Sequence, residues 1–110
     1  GWAGNVSFAG MAQALKEGYA TASTDTGHTG GDGAFASGHT EKLVDYSYRA
    51  VHEMTVKSKQ MIQAFCGRAA RFSYWNGCAP GMQKRHWNVC LPCGWDLHWD
   101  SAHVLWLALE

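Results

Sequence analysis

The run Gly77-Cys78-Ala79-Pro80-Gly81 carries two glycines at the spacing of G-x-S-x-G. In that motif a serine sits on a sharp strand-to-helix turn, too tight for side chains at the glycine positions. The serine attacks a carbonyl, and the backbone N–H after it helps hold the developing oxyanion. Here Ala79 occupies the nucleophile position and Pro80 follows it. Alanine offers no hydroxyl for an acyl intermediate, and proline has no N–H to donate. Losing one oxyanion donor alone costs about 2.7–4 kcal/mol of transition-state stabilisation.

Other residues invite chemistry less strongly. Cys90 and Cys93 form a C-x-x-C pair with His86, His98 and His103 nearby, a donor set suited to zinc. A structural zinc site shows two tidy ligand pairs, and only one is present, so no metal is expected and the cysteines read as incidental. A redox C-x-x-C should open a helix after a strand, and Trp87-Asn88-Val89 makes a poor strand. Ser101 sits among His98, His103, Asp96 and Asp100, but on a helix Ser101 and His103 point about 160° apart, too far for a dyad. Asp25 and His28 fall at the carboxyl end of a predicted strand, where α/β sheets place their ligands. They either order the wall of a site through hydrogen bonds, or simply close and anchor a glycine-rich loop. His52 reads as an interhelical hydrogen-bonding residue and Cys66 as a small buried hydrophobe.

The elements that must position these groups follow from spacing. Ser7 caps a helix whose apolar face is Phe8, Met11, Ala12 and Leu15, with Gly18 as the stop. Tyr19 to Thr24 is a strand. Five glycines within residues 26–38 make a long loop. Thr40 caps a long helix with Val44, Tyr48, Val51, Thr55, Ser58, Ile62 and Phe65 on one face, ended by Gly67. Asp45 and Arg49 form a surface pair on it. Phe72 to Trp75 is a second strand. Strand, long helix, strand predicts an α/β fold with a short parallel sheet and a βαβ crossover helix. Trp95, Trp99, Ala102, Trp106 and Leu109 then predict a closing amphipathic helix.

Composition sets the outer limits. A chain of 110 residues with nine basic and nine acidic side chains is one domain's length, and its zero net charge argues against a nucleic-acid track. No apolar run of about 18 residues exists to span a membrane, and Gly1 to Gly10 lack the pattern of a signal peptide. Residues 79–110 carry four of the six tryptophans and both prolines, so the chain reads as a segment 1–78 followed by a divergent tail 79–110. A small parallel sheet with open edges, covered on one face by the Trp95–Leu109 stripe, predicts self-association.

Several stretches in order resemble the tannase and feruloyl esterase family of serine carboxylesterases. They are Gly1-Trp2-Ala3-Gly4, Ala22 to His28 (ASTDTGH), Gly38 to Leu43 (GHTEKL), Tyr48 to Thr55 (YRAVHEMT) and Tyr74 to Cys78 (YWNGC). The resemblance covers about residues 1–78 and implies a partial α/β-hydrolase core. It implies hydrolysis of esters of phenolic acids, such as gallate or ferulate, without a cofactor, by a secreted or periplasmic enzyme. Gly1, Trp2, Ala3 and Gly4 match the glycine-rich loop that donates one oxyanion N–H. Cys78 matches an elbow cysteine that the family joins by a disulfide to one beside its catalytic His. The family's catalytic Asp and His are expected beyond residue 110. A catalytically inactive, phenolic-ligand-binding form and a small Cys/His metal-binding protein are the alternative expectations.

Overall fold

The computed structural model describes residue 2, residues 4–76 and residues 104–108. Ser7 stands at the start of the first helix, α1 (Phe8–Lys16), and its carbonyl accepts from Met11 N–H at 3.0 Å. Gly18, at φ +87°, lets the chain turn back after the helix, and Tyr19 N–H closes onto the Ala14 carbonyl at 3.0 Å. The face that packs is not the one the apolar spacing predicts. Phe8 and Leu15 are exposed, whereas Ala14 is fully buried. Gly10, one turn earlier on the same side, lies so close to the sheet that a Cβ would stand 2.9 Å from Val104 Cγ2. Small residues win this face because they let the helix backbone approach the sheet.

Strand β1 (Ala20–Ser23) follows, then a 3-10 turn at Gly33–Ala36 inside the glycine-rich loop. The long helical run begins with α2 (Thr40–Val44), passes through a π-helical turn at Asp45–Arg49, and continues as α3 (Ala50–Cys66). Gly67, at φ +70°, ends it. The π turn corrects the predicted stripe. An extra residue in one turn rotates the segment before it by about 100° relative to the segment after it, so Tyr46 is buried in place of Tyr48, while Val51 of the predicted stripe is buried as expected. His52, beside Val51, is exposed and not between helices. At the far end Phe65 and Cys66 project into solvent, so Cys66 is not the buried hydrophobe its type suggests.

Strands β2 (Phe72–Asn76) and β3 (Val104–Ala108) complete a three-stranded sheet in the order β1-β3-β2. Both pairings are antiparallel, which corrects the expected parallel sheet. The reason lies in β3. Residues 104–108, read from helical spacing as part of an amphipathic helix, are a short continuous apolar run, and such runs suit a central strand equally well. β3 separates β1 from β2, which still run in one direction on either side of it. Val104 and Leu107, three apart and therefore on opposite faces of the strand, are both almost completely buried. The sheet is thus covered on both faces at its centre, with α1 against β1 and β3 and α3 against β1. No helix among the described residues is long and apolar enough to cross a membrane.

Candidate active site

The sheet register brings two predicted loops to one end. Ser23, the last residue of β1, and Asn76, the last of β2, both lie opposite Val104. The carboxyl ends of β1 and β2 therefore lie at the same end of the sheet, two strand spacings or roughly 9.5 Å apart. The start of α1 is tied there too, because Ser7 N–H donates to Ser23 Oγ at 3.0 Å.

The Asp25–His28 loop is built by local side-chain bonds. Asp25 Oδ1 accepts from Gly27 N–H at 2.9 Å, and Thr24 Oγ1 accepts from Thr26 N–H at 3.1 Å. Both are turns that short polar side chains close with their own backbone. Gly27 takes φ +82° without cost, but Thr26 is held at φ +58°, a region that β-branched residues avoid. Its hydroxyl donates to the Asp25 carbonyl at 2.6 Å and lies 3.2 Å from His28 Nδ1. Asp25 thus closes the loop, and His28 does more than end it.

His28 is only 6% exposed. Its Nε2 lies 2.8 Å from the Trp2 carbonyl oxygen, and since a carbonyl only accepts, that nitrogen carries the proton. The ring stacks on Phe35 with centroids 3.7 Å apart and meets the Tyr46 ring edge-on at 5.5 Å. Trp2 in turn stacks on Tyr46 at 4.9 Å. Four rings from four segments thus clamp the glycine-bearing N-terminal loop onto the loop after β1. Gly4 completes the clamp: its N–H donates to the Gly30 carbonyl at 2.8 Å, and a Cβ there would fall 2.3 Å from the His28 carbonyl oxygen. Only glycine permits that approach.

Electrostatics around the loop are set by one cluster. Arg49 Nε donates to Asp45 Oδ1 at 2.5 Å, and its Nη2 reaches Glu41 Oε2 at 2.7 Å. The hydrogen bond from Arg49 holds the Asp45 carboxyl below the usual carboxylate range, and the guanidinium is pushed up by the same two partners. Asp45 lies beneath Gly27, where a Cβ would stand 3.5 Å from its Oδ2. Burial pushes the Tyr46 hydroxyl up.

Of the sequence-predicted site residues, the structure brings together Trp2, Gly4, Asp25 and His28. Gly1, Ala3, Gly77, Cys78, Ala79, Pro80, Gly81, His86, Cys90, Cys93 and His98 lie outside the described residues, as do Ser101 and His103. Among the described residues no three His, Cys, Asp or Glu side chains converge to hold a metal. Phe35, Tyr46 and Thr26 were not among the predicted site residues. Phe35, an aromatic in a run of glycine and alanine, is the one signal that could have pointed to the cluster.

A small antiparallel sheet flanked by helices, with a glycine-bearing loop docked beyond the end of β1, is an arrangement of mixed α and β structure. The chain belongs to the tannase and feruloyl esterase family, whose sequence profile, described as Tannase and feruloyl esterase, matches residues 1–84. It is 39% identical over 82 residues to an uncharacterised esterase of Xanthomonas campestris, covering 73% of this chain and 14% of that protein. It is 38% identical over 84 residues to feruloyl esterase B of Aspergillus niger, covering 71% and 16% respectively. A probable feruloyl esterase B-1 of Aspergillus fumigatus is 37% identical over 78 residues, again 71% of this chain and 15% of the relative. The chain therefore spans about one-seventh of the length of the curated relatives it matches. No solved structure matches it. Membership of a family of named esterases supports a carboxylic ester hydrolase at the level of the family.

Proposed function

We propose that residues 1–81 form part of the catalytic core of a phenolic-ester hydrolase of the tannase and feruloyl esterase type, a partial α/β-hydrolase core. The observation that carries this reading is convergence. The Trp2–Gly4 loop is docked on the Asp25–His28 loop, which follows β1, and β2 ends at the same end of the sheet, one residue before Gly77 in the sequence. Gly4 N–H is already given to Gly30. Secretion or periplasmic export belongs to the same reading.

A second reading is favoured by two residues. Ala79 cannot form an acyl-enzyme, and Pro80 cannot donate the second oxyanion N–H. With both in place the chain binds a phenolic ester without turning it over. Calorimetric titration with methyl ferulate and methyl gallate, run beside a hydrolysis assay, tests the two together. Saturable binding with turnover supports the first, saturable binding alone the second, and neither binding nor turnover removes both.

The exposed side chains of Phe8, Leu15, Met61 and Phe65 support self-association of the chain. Light scattering across a concentration series checks it, and a monodisperse monomer would refute it.

A further inference from the structure

We propose that the exposed indole of Trp2 is the surface that recognises the aromatic ring of the ester, and that Gly33 is the residue that keeps its face reachable. This rests on the reading of the chain as part of a phenolic-ester hydrolase, and it names the group that meets the phenolic ring.

Within the ring cluster His28 and Tyr46 are buried and Phe35 is half-buried, whereas Trp2 is 44% exposed. A partly exposed tryptophan is ordinary in itself. This one is held from behind. Tyr46 stacks on it with an interplanar angle of 21°, and Phe35 meets it at 62° with centroids 6.1 Å apart. Its orientation is therefore set before a ligand arrives, which lowers the ordering cost of binding.

Gly33 decides what stands over the other face. A Cβ at Gly33 would lie 3.8 Å from Cδ2, 3.8 Å from Cε2 and 3.9 Å from Cζ2 of the indole. These are consecutive atoms of the six-membered ring, and near-equal distances to all of them put that point above the ring's face, not beside its edge. They are also the nearest atoms to it, so the stacked Tyr46 ring takes the opposite face. Neither backbone nor packing demands glycine here. Gly33 is not at positive φ, and 3.8 Å is ordinary van der Waals contact. It opens the 3-10 turn Gly33–Ala36, where a glycine adds conformational cost. What glycine does at 33 is turn only a hydrogen towards the indole, where any other residue would place a side chain.

A flat ring slides onto an indole face in the offset-stacked arrangement that aromatic pairs prefer, whereas a saturated ring of similar size gains contact without that preference. The surface thus selects an aromatic acyl group over an aliphatic one.

The test is nitrogen-15 NMR of the whole chain, with the Trp2 indole N–H assigned through Trp2→Phe. The chain is titrated with methyl ferulate and with methyl cyclohexylpropanoate, its saturated-ring counterpart. Methyl ferulate should move the Trp2 indole signal along a saturable curve, and the saturated ester should bind at least about threefold more weakly. Gly33→Ala, which sets a methyl group over the indole, should weaken methyl ferulate more than about threefold without lowering the thermal midpoint. A merely structural role for Trp2 would not give that split between binding and stability. Trp2→Leu should erase the preference for the aromatic ester. Saturable binding of methyl ferulate that leaves the Trp2 signal in place, or that Gly33→Ala does not weaken, would overturn the proposal and leave the esterase reading standing. Absence of binding by either ester would overturn both.

Discussion

The imidazole of His28 and the carbonyl of Trp2, twenty-six residues apart in the chain, meet at 2.8 Å and join the N-terminal loop to the strand-end loop. The close approach of Gly4 to the same histidine gives the first prediction. Gly4→Ala places a Cβ against the His28 carbonyl and ring, and overpacking of this kind costs about 1–3 kcal/mol. Gly31→Ala, where a Cβ meets nothing within 4 Å and φ is not positive, should stay within about 0.5 kcal/mol. Urea denaturation of the pair measures the difference, and equal costs would show that the clamp is not formed.

The burial of β3 predicts a contrast that sequence alone does not. Leu107, fully buried, should lose about 2–5 kcal/mol on substitution by alanine. Phe65, the larger side chain but 93% exposed, should lose less than about 0.5 kcal/mol. Chemical denaturation midpoints decide it. A larger loss at Phe65 would mean that α3, not the sheet, carries the core.

Thr21 Oγ1 is buried without a hydrogen-bond partner among the described residues. Leaving such an oxygen unpaired costs about 1–3 kcal/mol, which valine of the same shape avoids. Thr21→Val should therefore raise stability by about 1 kcal/mol, read from the shift in thermal midpoint. A loss would reveal a partner for the hydroxyl.

Asp45 supplies a pH dependence. Its carboxyl in the folded chain sits below the value of 3.8 expected of a free aspartate, chiefly because Arg49 donates to it. A lowered folded value means that the unfolded chain takes up the proton first. The stabilisation is present above the ordinary aspartate range and is lost as pH falls through the folded value. The stability gap between the parent chain and Asp45→Asn should be constant above about pH 5 and close as pH falls below about 4. A gap that widens on acidification would reverse the assignment.

Local order was legible where a single residue decides it. Gly18 and Gly67 stop helices because glycine takes the left-handed turn at least cost, and Asp25 closes a loop with its own side chain. The tertiary arrangement was less so. The π turn at Asp45–Arg49 has no sequence period to announce it, and one extra residue moved the buried aromatic from Tyr48 to Tyr46. Residues 104–108 fit a helical stripe and a central strand equally well, and the slot between β1 and β2 selected the strand. At the candidate site, Asp25 and His28 were singled out by their place after β1, on the expectation of a parallel sheet that the structure does not form. The ring cluster of Trp2, Phe35 and Tyr46 escaped it because its members come from three segments that only the fold brings together.

The measurement closest to the central claim is labelling of the intact chain with a fluorophosphonate, followed by mass mapping of every serine-containing peptide. An elbow with Ala79 at the nucleophile position and Pro80 after it cannot be acylated. The expected result is therefore no labelled serine. Stoichiometric labelling of Ser101, or of any other serine, would place a working nucleophile elsewhere and contradict the site described.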